Sequence, residues 1–381
     1  MKRKRIIIIT VALIAVAALA TVLAVCGGKS AKRAHQYSVS QGKKFDAVYL
    51  NVSIEDFMAD GFRFGDSCDV SFSNGLSFED IPFYSGYYTR SGMPVVVGYP
   101  GNDHITVTRT NGGLWEESGL TENDTATVTL RQAGKYLTVQ ETLSQAYSND
   151  KADYRDDVQF ANFRALSGGA LKENFLYRGA SPVDDRYNRA ASADALLQEN
   201  GIRFILDLAD SEEDLLGYRG ENGFSSFYAA GLYDAGCTAL LDMTAAFGSA
   251  DYKQKLAQGL RAMLSAEGPV YIHCTEGKDR TGFVCFLLEA LAGASYDEMQ
   301  RDYMKTYENY YGISKAETPD KYKAVVNVYF DSFAAYLHGT DDATVLASAA
   351  YDRDATGYLL DAGMTADEIA ALHDMITKDS N

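Results

Sequence analysis

The most constraining feature of this sequence is a short buried-type strand, Val270–His273, that runs directly into Cys274. Five residues separate Cys274 from Arg280, and a strongly apolar helix is predicted immediately afterwards, over residues 281–291. A loop that turns from a strand into a helix aims several backbone N–H groups into one concavity, and the helix N-terminus adds partial positive charge. The segment therefore predicts a site for an oxyanion such as phosphate.

The side chains of this segment suit chemistry on a bound phosphoester. The guanidinium of Arg280 can donate a forked pair of hydrogen bonds to two phosphate oxygens. The same donors favour the thiolate form of Cys274, which is placed to attack phosphorus and form a cysteinyl-phosphate. Thr281 can offer its hydroxyl to the sulfur when the sulfur leaves. Gly277 and Gly282 permit a tight turn and close backbone packing.

Residues 273–282, HCTEGKDRTG, resemble the signature of the cysteine-dependent protein tyrosine phosphatase superfamily, in particular a bacterial branch with Gly-Lys-Asp-Arg-Thr-Gly in the loop. Residues 162–169, 176–180 and 358–364 resemble further segments of that branch, so the similarity covers about residues 160–375. The resemblance implies a metal-free, cofactor-free phosphatase acting on phosphotyrosine, or alternatively on phosphoinositides or inositol phosphates. A vestigial phosphate-binding or adhesion module is the alternative from another class. The loop residues expected to bind substrate are Thr275, Glu276, Gly277, Lys278 and Thr281.

Three aspartates compete for the role of general acid, the group that protonates the leaving oxygen. Asp279 lies inside the loop beside Arg280, as in the branch that the sequence resembles, and ranks first. Asp207 ends a predicted strand, residues 203–208, and strand ends face the ligand crevice of parallel sheets; the alternative is a structural carboxylate that holds the loop. Asp242 precedes Cys274 by 32 residues and ranks third, because its neighbours lack a Trp-Pro-Asp pattern.

Two positions depart from the pattern of the branch. Glu276 places a carboxylate in the loop where the family commonly has alanine, and it either repels highly anionic substrates or pairs with Lys278. Lys278 is either a cation for a second phosphate or a solvated charge at the rim. Ala209 replaces the arginine of the family's Asp-Leu-Arg segment, so a second arginine is missing there.

The N-terminal residues 1–33 have the pattern of a membrane-targeting segment. Four bases, Lys2, Arg3, Lys4 and Arg5, precede an uncharged and mostly apolar run over residues 6–26. Those 21 residues would span roughly 31 Å as a helix, enough to cross a hydrocarbon core. The order of charge and apolar run predicts a body outside the cytoplasm. The segment is a signal anchor, a cleaved signal, or a lipoprotein signal modified at Cys26.

The remainder divides into two parts. Residues 37–145 are predicted as a small β-rich domain, a sandwich or barrel, because short alternating or β-branched runs recur between turns. The runs are residues 47–52, 69–73, 94–99, 104–110, 125–130 and 136–142. A polar linker is predicted over residues 148–157. In residues 158–381 helices and strands alternate, which favours an α/β domain with a mainly parallel sheet.

Composition excludes several classes of function. The net charge is −17, so the protein repels nucleic-acid backbones, and an anionic substrate needs a local pocket that overcomes the overall field. The five cysteines are scattered without a Cys-x-x-Cys pair, so neither a disulfide framework nor a zinc site is expected. Expected partners are a phosphorylated protein or phosphoinositide substrate and, through residues 1–33, a membrane.

Overall fold

Two sheets hold the strands of residues 34–42 and 46–378, the part of the chain that this computed structural model describes. In this part, seven strands close into a barrel in the order β1-β2-β6-β5-β4-β3-β7. Neighbours pair antiparallel except β4 and β5, which run parallel. The strands are β1 Ala34–Gln41, β2 Val48–Leu50, β3 Ser67–Phe72, β4 Ser77–Tyr84, β5 Pro94–Val97, β6 Ile105–Arg109 and β7 Thr125–Gln132. Three short helices accompany them: α1 Ile54–Ala59, α2 Trp115–Ser118 and α3 Leu137–Leu143.

Alternation of side chains along the strands explains the barrel. In β1 the buried positions are Tyr37 and Val39, two residues apart, and Val70, Val107 and Val128 fill the same interior. The predicted runs gave five of these strands but not β1 or β4. Strand β1 was missed because it begins directly after residues 1–33, the predicted membrane-targeting segment. Strand β4 was missed because its two acidic residues and its proline weaken the strand pattern.

The predicted strand over residues 136–142 is wrong, because this segment is the helix α3. The alternating sequence favours a strand, but tertiary contacts stabilise a helix instead. The side chain of Gln140 accepts a hydrogen bond from the backbone N–H of Ser85 at 2.9 Å and donates one to the Ser85 hydroxyl at 2.7 Å. A helix brings this buried amide to the barrel, where its hydrogen bonds are satisfied.

The second sheet has five strands in the described residues, in the order β11-β10-β12-β9-β8. They are β8 Arg164–Ala165, β9 Leu176–Gly179, β10 Phe204–Asp207, β11 Thr238–Leu240 and β12 Val270–His273. All pairs are parallel except β8 with β9. Helices flank the sheet, so this part of the chain has a mixed α/β fold. They are α4 Asp157–Phe160, α5 Ala190–Glu199, α6 Glu212–Arg219, α7 Phe227–Asp234, α8 Ala250–Met263, α9 Asp279–Leu291, α10 Tyr296–Tyr311, α11 Pro319–Val325, α12 Asp331–His338, α13 Ala343–Leu346, α14 Asp352–Asp361 and α15 Ala366–Ile376, with a π-helical turn, Val326–Phe330, before α12.

The register of this sheet brings three strand ends to one edge. His273 lies opposite Asp207 of β10 on one side and Gly179 of β9 on the other. Strand β12 is entirely buried, and so is α9 from Thr281 to its end. A buried strand followed by a buried helix fixes the loop between them, residues 274–278, at the carboxyl edge of the sheet, where α/β proteins place their ligands.

Barrel and sheet contact each other closely. The guanidinium of Arg90, between β4 and β5, donates to Asp331 at 2.7 Å and to the carbonyl of Asn327 at 2.6 Å. The predicted linker is also packed, since Arg189 donates to the carbonyl of Ser148 at 2.9 Å and to Asn149 at 2.8 Å. The division into residues 37–145 and 158–381 stays a prediction.

Within residues 34–42 and 46–378, no helix combines the length and the apolar character that a membrane span requires. The predicted membrane segment, residues 6–26, lies outside the described residues.

Candidate active site

The loop after β12 is shaped by close contact with β9. Gly277 has a left-handed backbone with φ of +66°, and a Cβ added there would lie 2.1 Å from the carbonyl oxygen of Gly179. No residue with a side chain can take this position without moving the backbone. Cys274, at the start of the loop, is only 3% exposed and lies at the bottom of the turn.

The carbonyl groups of the loop are held by the surrounding protein. The carbonyl of Gly277 accepts from Arg178 at 2.9 Å and from Asn162 at 3.3 Å. The carbonyl of Thr275 accepts from the backbone N–H of Ser181 at 3.1 Å, and that of Glu276 accepts from the hydroxyl of Tyr310 at 2.9 Å.

The backbone N–H groups of residues 275–278, in contrast, donate no hydrogen bond to the part of the protein that the structure describes. Because the carbonyls are engaged outward, these N–H groups remain free for a bound anion. The loop therefore has the donor arrangement that the sequence predicts for an oxyanion site.

A buried ionic cluster supports the loop from behind. Asp302 of α10 contacts Arg178 at 2.5 Å and Arg164 at 2.6 Å, and the Arg178 side chain is fully buried. Burial alone would raise the pKa of Asp302, but the two arginines hold it below its ordinary value. One aspartate thus connects two strands of the sheet to α10 while Arg178 holds the Gly277 carbonyl.

Arg280 lies in the first turn of α9, at the mouth of the loop. Its Nη1 donates to the carbonyl of Met243 at 2.9 Å, and its Nη2 donates to the hydroxyl of Thr275 at 3.1 Å. Met243 belongs to the segment between β11 and α8, so this segment contacts the loop through Arg280. The next residue, Thr281, has a buried hydroxyl without a hydrogen-bond partner among the described residues, which leaves it available to a sulfur or an oxygen in the site.

Asp207 lies beneath the loop in a group of buried titratable side chains. Its carboxylate accepts from the backbone N–H groups of Ala209 at 2.8 Å and Asp210 at 3.1 Å, and it lies 3.7 Å from Nε2 of His273. Burial raises the pKa of Asp207 to about 6, although both backbone hydrogen bonds oppose the shift. Burial also lowers the pKa of His273 to about 4, so this imidazole is neutral at pH 7.

Asp210 belongs to the same group, and no motif or spacing in the sequence singled it out. It is 4% exposed, and its Oδ2 has no hydrogen-bond partner among the described residues. Burial, followed by the nearby charge of Asp207, raises its pKa to about 7. Two neighbouring buried carboxyls favour retention of a proton, because both cannot ionise cheaply in a desolvated site.

The other two candidate acids lie in different surroundings. The side chain of Asp279 is 51% exposed at the rim of the loop, 3.8 Å from Nζ of Lys278. Asp242 is exposed and has a left-handed backbone with φ of +41°. Its carboxylate lies 3.8 Å from Nζ of Lys255, on α8. The structure therefore places Asp279 and Asp207 next to the loop, on its outer and inner sides, whereas Asp242 pairs with a helix.

Glu276 and Lys278 form a pair, one of the two arrangements expected from the sequence. Nζ of Lys278 lies 3.7 Å from the Glu276 carboxylate and 3.4 Å from the hydroxyl of Tyr311. The hydroxyl of Tyr147 donates to the same carboxylate. Tyr147 comes from the connection between the barrel and the sheet, and a short-range motif search could not find it because 129 positions separate the two residues.

Residues 157–378, more than half of the chain, match the family model described as the tyrosine phosphatase family. The chain belongs to this family. The resemblance found in the sequence is thereby confirmed, and so is the predicted class of enzyme, a protein-tyrosine-phosphatase-like hydrolase.

A similar curated protein is the triple specificity protein phosphatase PtpB of Mycobacterium tuberculosis (strain ATCC 25618 / H37Rv), which is 31% identical over 114 residues. The match covers 27% of this chain and 41% of PtpB, so the chain matches less than half the length of that relative.

Among solved structures, P. aeruginosa TpbA is 17% identical with a TM-score of 0.28, and the match covers 58% of this chain and 99% of that one. A complex of TpbA with pTyr gives 16% identity and a TM-score of 0.25, covering 47% and 96%. Both TM-scores are low.

The buried carboxyl pair predicts a dependence of stability on pH. An unfolded aspartate ionises near pH 3.9, whereas Asp210 in the folded protein ionises at about pH 7. Its protonated form therefore favours folding at acidic pH, and this contribution is lost as the pH rises through about 7. We expect Asp210→Asn to gain about 1–3 kcal/mol in unfolding free energy relative to wild type between pH 5 and pH 8.

Urea denaturation of both proteins at the two pH values measures this difference. Asp103→Asn, at an exposed position after β5, is the matched control and should give no such change. An equal difference between Asp210→Asn and wild type at pH 5 and pH 8 would contradict the assignment.

Proposed function

We propose that this protein is a cysteine-dependent phosphatase that hydrolyses phosphomonoesters, phosphotyrosine foremost, through a cysteinyl-phosphate intermediate. The observation that carries the proposal is the loop itself. Its carbonyls at Thr275, Glu276 and Gly277 are engaged by the protein, its N–H groups at 275–278 have no acceptor among the described residues, and Cys274 lies at its base. This arrangement suits the three non-bridging oxygens of a phosphoryl group. The matching family model is described as the tyrosine phosphatase family, and PtpB is described as a triple specificity protein phosphatase, so both support a phosphorylated protein as the substrate and the family supports phosphotyrosine.

The proposed reaction has two steps. In the first, Sγ of Cys274 forms a bond to phosphorus while the bond from phosphorus to the ester oxygen breaks, and the leaving alcohol takes a proton from a general acid. In the second, water attacks phosphorus and gives a proton to the carboxylate left by the general acid, the sulfur leaves as a thiolate that the Thr281 hydroxyl stabilises, and inorganic phosphate is released. Arg280 balances the charge on the equatorial oxygens, exchanging its contacts with Met243 and Thr275 for substrate.

Asp279 is the proposed general acid. Its carboxyl is half exposed at the rim of the loop, beside Arg280 in sequence, which suits a group that protonates an oxygen leaving toward solvent. Asp207 ranks second: its raised pKa suits an acid, but its carboxyl lies on the inner side of the loop, bonded to backbone N–H groups. Asp242 ranks third because it faces Lys255.

Replacement of the nucleophile tests the mechanism. We expect Cys274→Ser to abolish hydrolysis of p-nitrophenyl phosphate while phosphate binding persists, because a serine hydroxyl is far harder to ionise than a thiol. Cys285→Ser, at a buried thiol inside α9, is the matched control and should retain turnover. Wild-type activity should also survive EDTA. A Cys274→Ser protein that still turns over, or activity lost on chelation, would refute the cysteinyl-phosphate route.

Replacement of the proposed acid gives a second prediction. Alkyl phosphates have poor leaving groups and depend on proton donation, which is typically worth ~10²–10⁴-fold, whereas p-nitrophenolate needs little help. We therefore expect Asp279→Asn to slow an alkyl phosphate far more than p-nitrophenyl phosphate and to flatten the basic limb of the pH–rate profile. Asp103→Asn, the exposed control used above, should change neither the relative rates nor the basic limb. If Asp279→Asn slows both substrates equally and the basic limb stays, Asp279 only positions substrate, and the same test passes to Asp207 and Asp242.

We further propose that the catalytic part lies outside the cytoplasm and is tethered through residues 1–33 as a signal anchor or a lipidated segment. The support is the order of the four bases and the apolar residues 6–26. We expect the full chain to fractionate with membranes and to be digested by protease added to intact spheroplasts. Deletion of residues 1–33 is the control and should yield cytosolic protein. An intact chain found wholly in the cytosol would contradict this location.

A further inference from the structure

Lys278 is the second cation of the loop besides Arg280, yet it already faces two carboxylates. Nζ lies 3.7 Å from Glu276 and 3.8 Å from Asp279, and the side chain is 17% exposed. Burial alone would lower the pKa of Lys278, but the Asp279 and Glu276 carboxylates raise it well above its usual range. When Asp279 carries a proton as a general acid, Glu276 still neutralises the ammonium group. Lys278 therefore offers little net charge to an additional anion.

Glu276 is fixed at both ends by tyrosines. The hydroxyl of Tyr310, on α10, donates to its backbone carbonyl at 2.9 Å, and the hydroxyl of Tyr147 donates to its carboxylate. The rings of Tyr147 and Tyr310 stack with centroids 4.9 Å apart. Burial and the Glu276 charge together raise the pKa of Tyr147, so this phenol remains a donor at physiological pH. A fixed carboxylate loses little entropy in binding Lys278, unlike a mobile surface charge.

Tyr147 is itself anchored through the connection between the barrel and the sheet. The guanidinium of Arg189 lies 5.1 Å from the Tyr147 ring centroid and 4.8 Å from that of Tyr310. Arg189 also donates to the carbonyl of Ser148, the residue after Tyr147, at 2.9 Å. The position of the donor to Glu276 is therefore set by buried contacts of the fold.

We propose that Glu276, oriented by Tyr147, is a specificity-determining residue that restricts the site to substrates with a single phosphate by occupying Lys278. The proposal rests on the proposed phosphatase function and specifies which class of phosphorylated substrate that function acts on. One phosphate is bound by the loop N–H groups and Arg280. A second phosphate would meet the Glu276 carboxylate within the same few ångströms, where like charges repel strongly because solvent is partly excluded.

Binding measurements on the Cys274→Ser chain test the proposal without requiring turnover. The probes are two short-chain phosphatidylinositols with identical acyl chains, one with a single phosphate on the inositol ring and one with two. We expect Glu276→Gln to improve the bisphosphate Kd relative to the monophosphate Kd by about tenfold. Tyr147→Phe should shift the ratio in the same direction by a smaller factor, and both shifts should shrink at high salt.

Two controls identify the cause. Tyr187→Phe removes a hydroxyl from the same aromatic cluster, 6.2 Å from Tyr147 between ring centroids, without touching Glu276, and should leave the ratio unchanged. Adding Lys278→Met to Glu276→Gln should cancel the gain. A ratio that stays within about twofold in Glu276→Gln, an equal shift in Tyr187→Phe and Tyr147→Phe, or no measurable binding of either probe would overturn the proposal.

Hydrolysis of p-nitrophenyl phosphate by the unaltered chain, measured in parallel, tests the proposed function alone. Absence of turnover there, with the expected Kd ratios intact, would overturn the phosphatase assignment and support the role of Glu276 in binding.

Discussion

The buried contact of Asp302 with Arg164 and Arg178 is the interaction on which the site depends. The chain must bring β8, β9 and α10 together to form it, and Arg178 then holds the carbonyl of Gly277. Burying three charged groups costs several kcal/mol per ion before their mutual attraction is counted, so such a cluster is poor evidence for added stability. Its consequence here is geometric. A charged donor that cannot reach water holds the loop carbonyl outward, and the loop N–H groups are left for a ligand.

The cost of burying a charge also explains the raised pKa values of two carboxyls near the loop. Glu289, inside α9, is buried close to Asp302, and burial followed by the Asp302 charge raises its pKa well above the ordinary value. Asp210 behaves in the same way next to Asp207. In each pair one carboxyl remains ionised where it has charged or N–H partners, and the other is more easily kept neutral. The raised pKa values of Asp210 and Glu289 therefore limit the negative charge that collects beneath the loop.

The parts predicted from sequence are those whose cause is local. Strand β12, helix α9 and the positions of Cys274 and Arg280 follow from one contiguous segment, so periodicity and spacing were sufficient. Arg178 and Asn162 fell within segments noted for their family resemblance, but nothing in those segments indicated that both contact the Gly277 carbonyl. Asp302 and Asp210 had no local signal, because their roles depend on burial. The misassigned residues 136–142 show the same limit, since contacts with Ser85 decide their conformation.

The net charge of the whole chain affects which anionic substrates it can bind. A protein with a net charge of −17 repels every anion, and the repulsion grows with the charge that the anion carries. In the proposed site the compensation for one phosphate comes from the N-terminus of α9, from Arg280 and from loop N–H groups that have no acceptor in the described part of the chain. At the position where a second phosphate would need a cation, Lys278 is already paired with Glu276. With Glu276 in the proposed role, the local site and the overall field act in the same direction, and each penalises polyanions more than monoesters. The proposed selectivity depends on leaving the compensation incomplete, because a more basic rim would raise the affinity for both classes of substrate and reduce the difference between them.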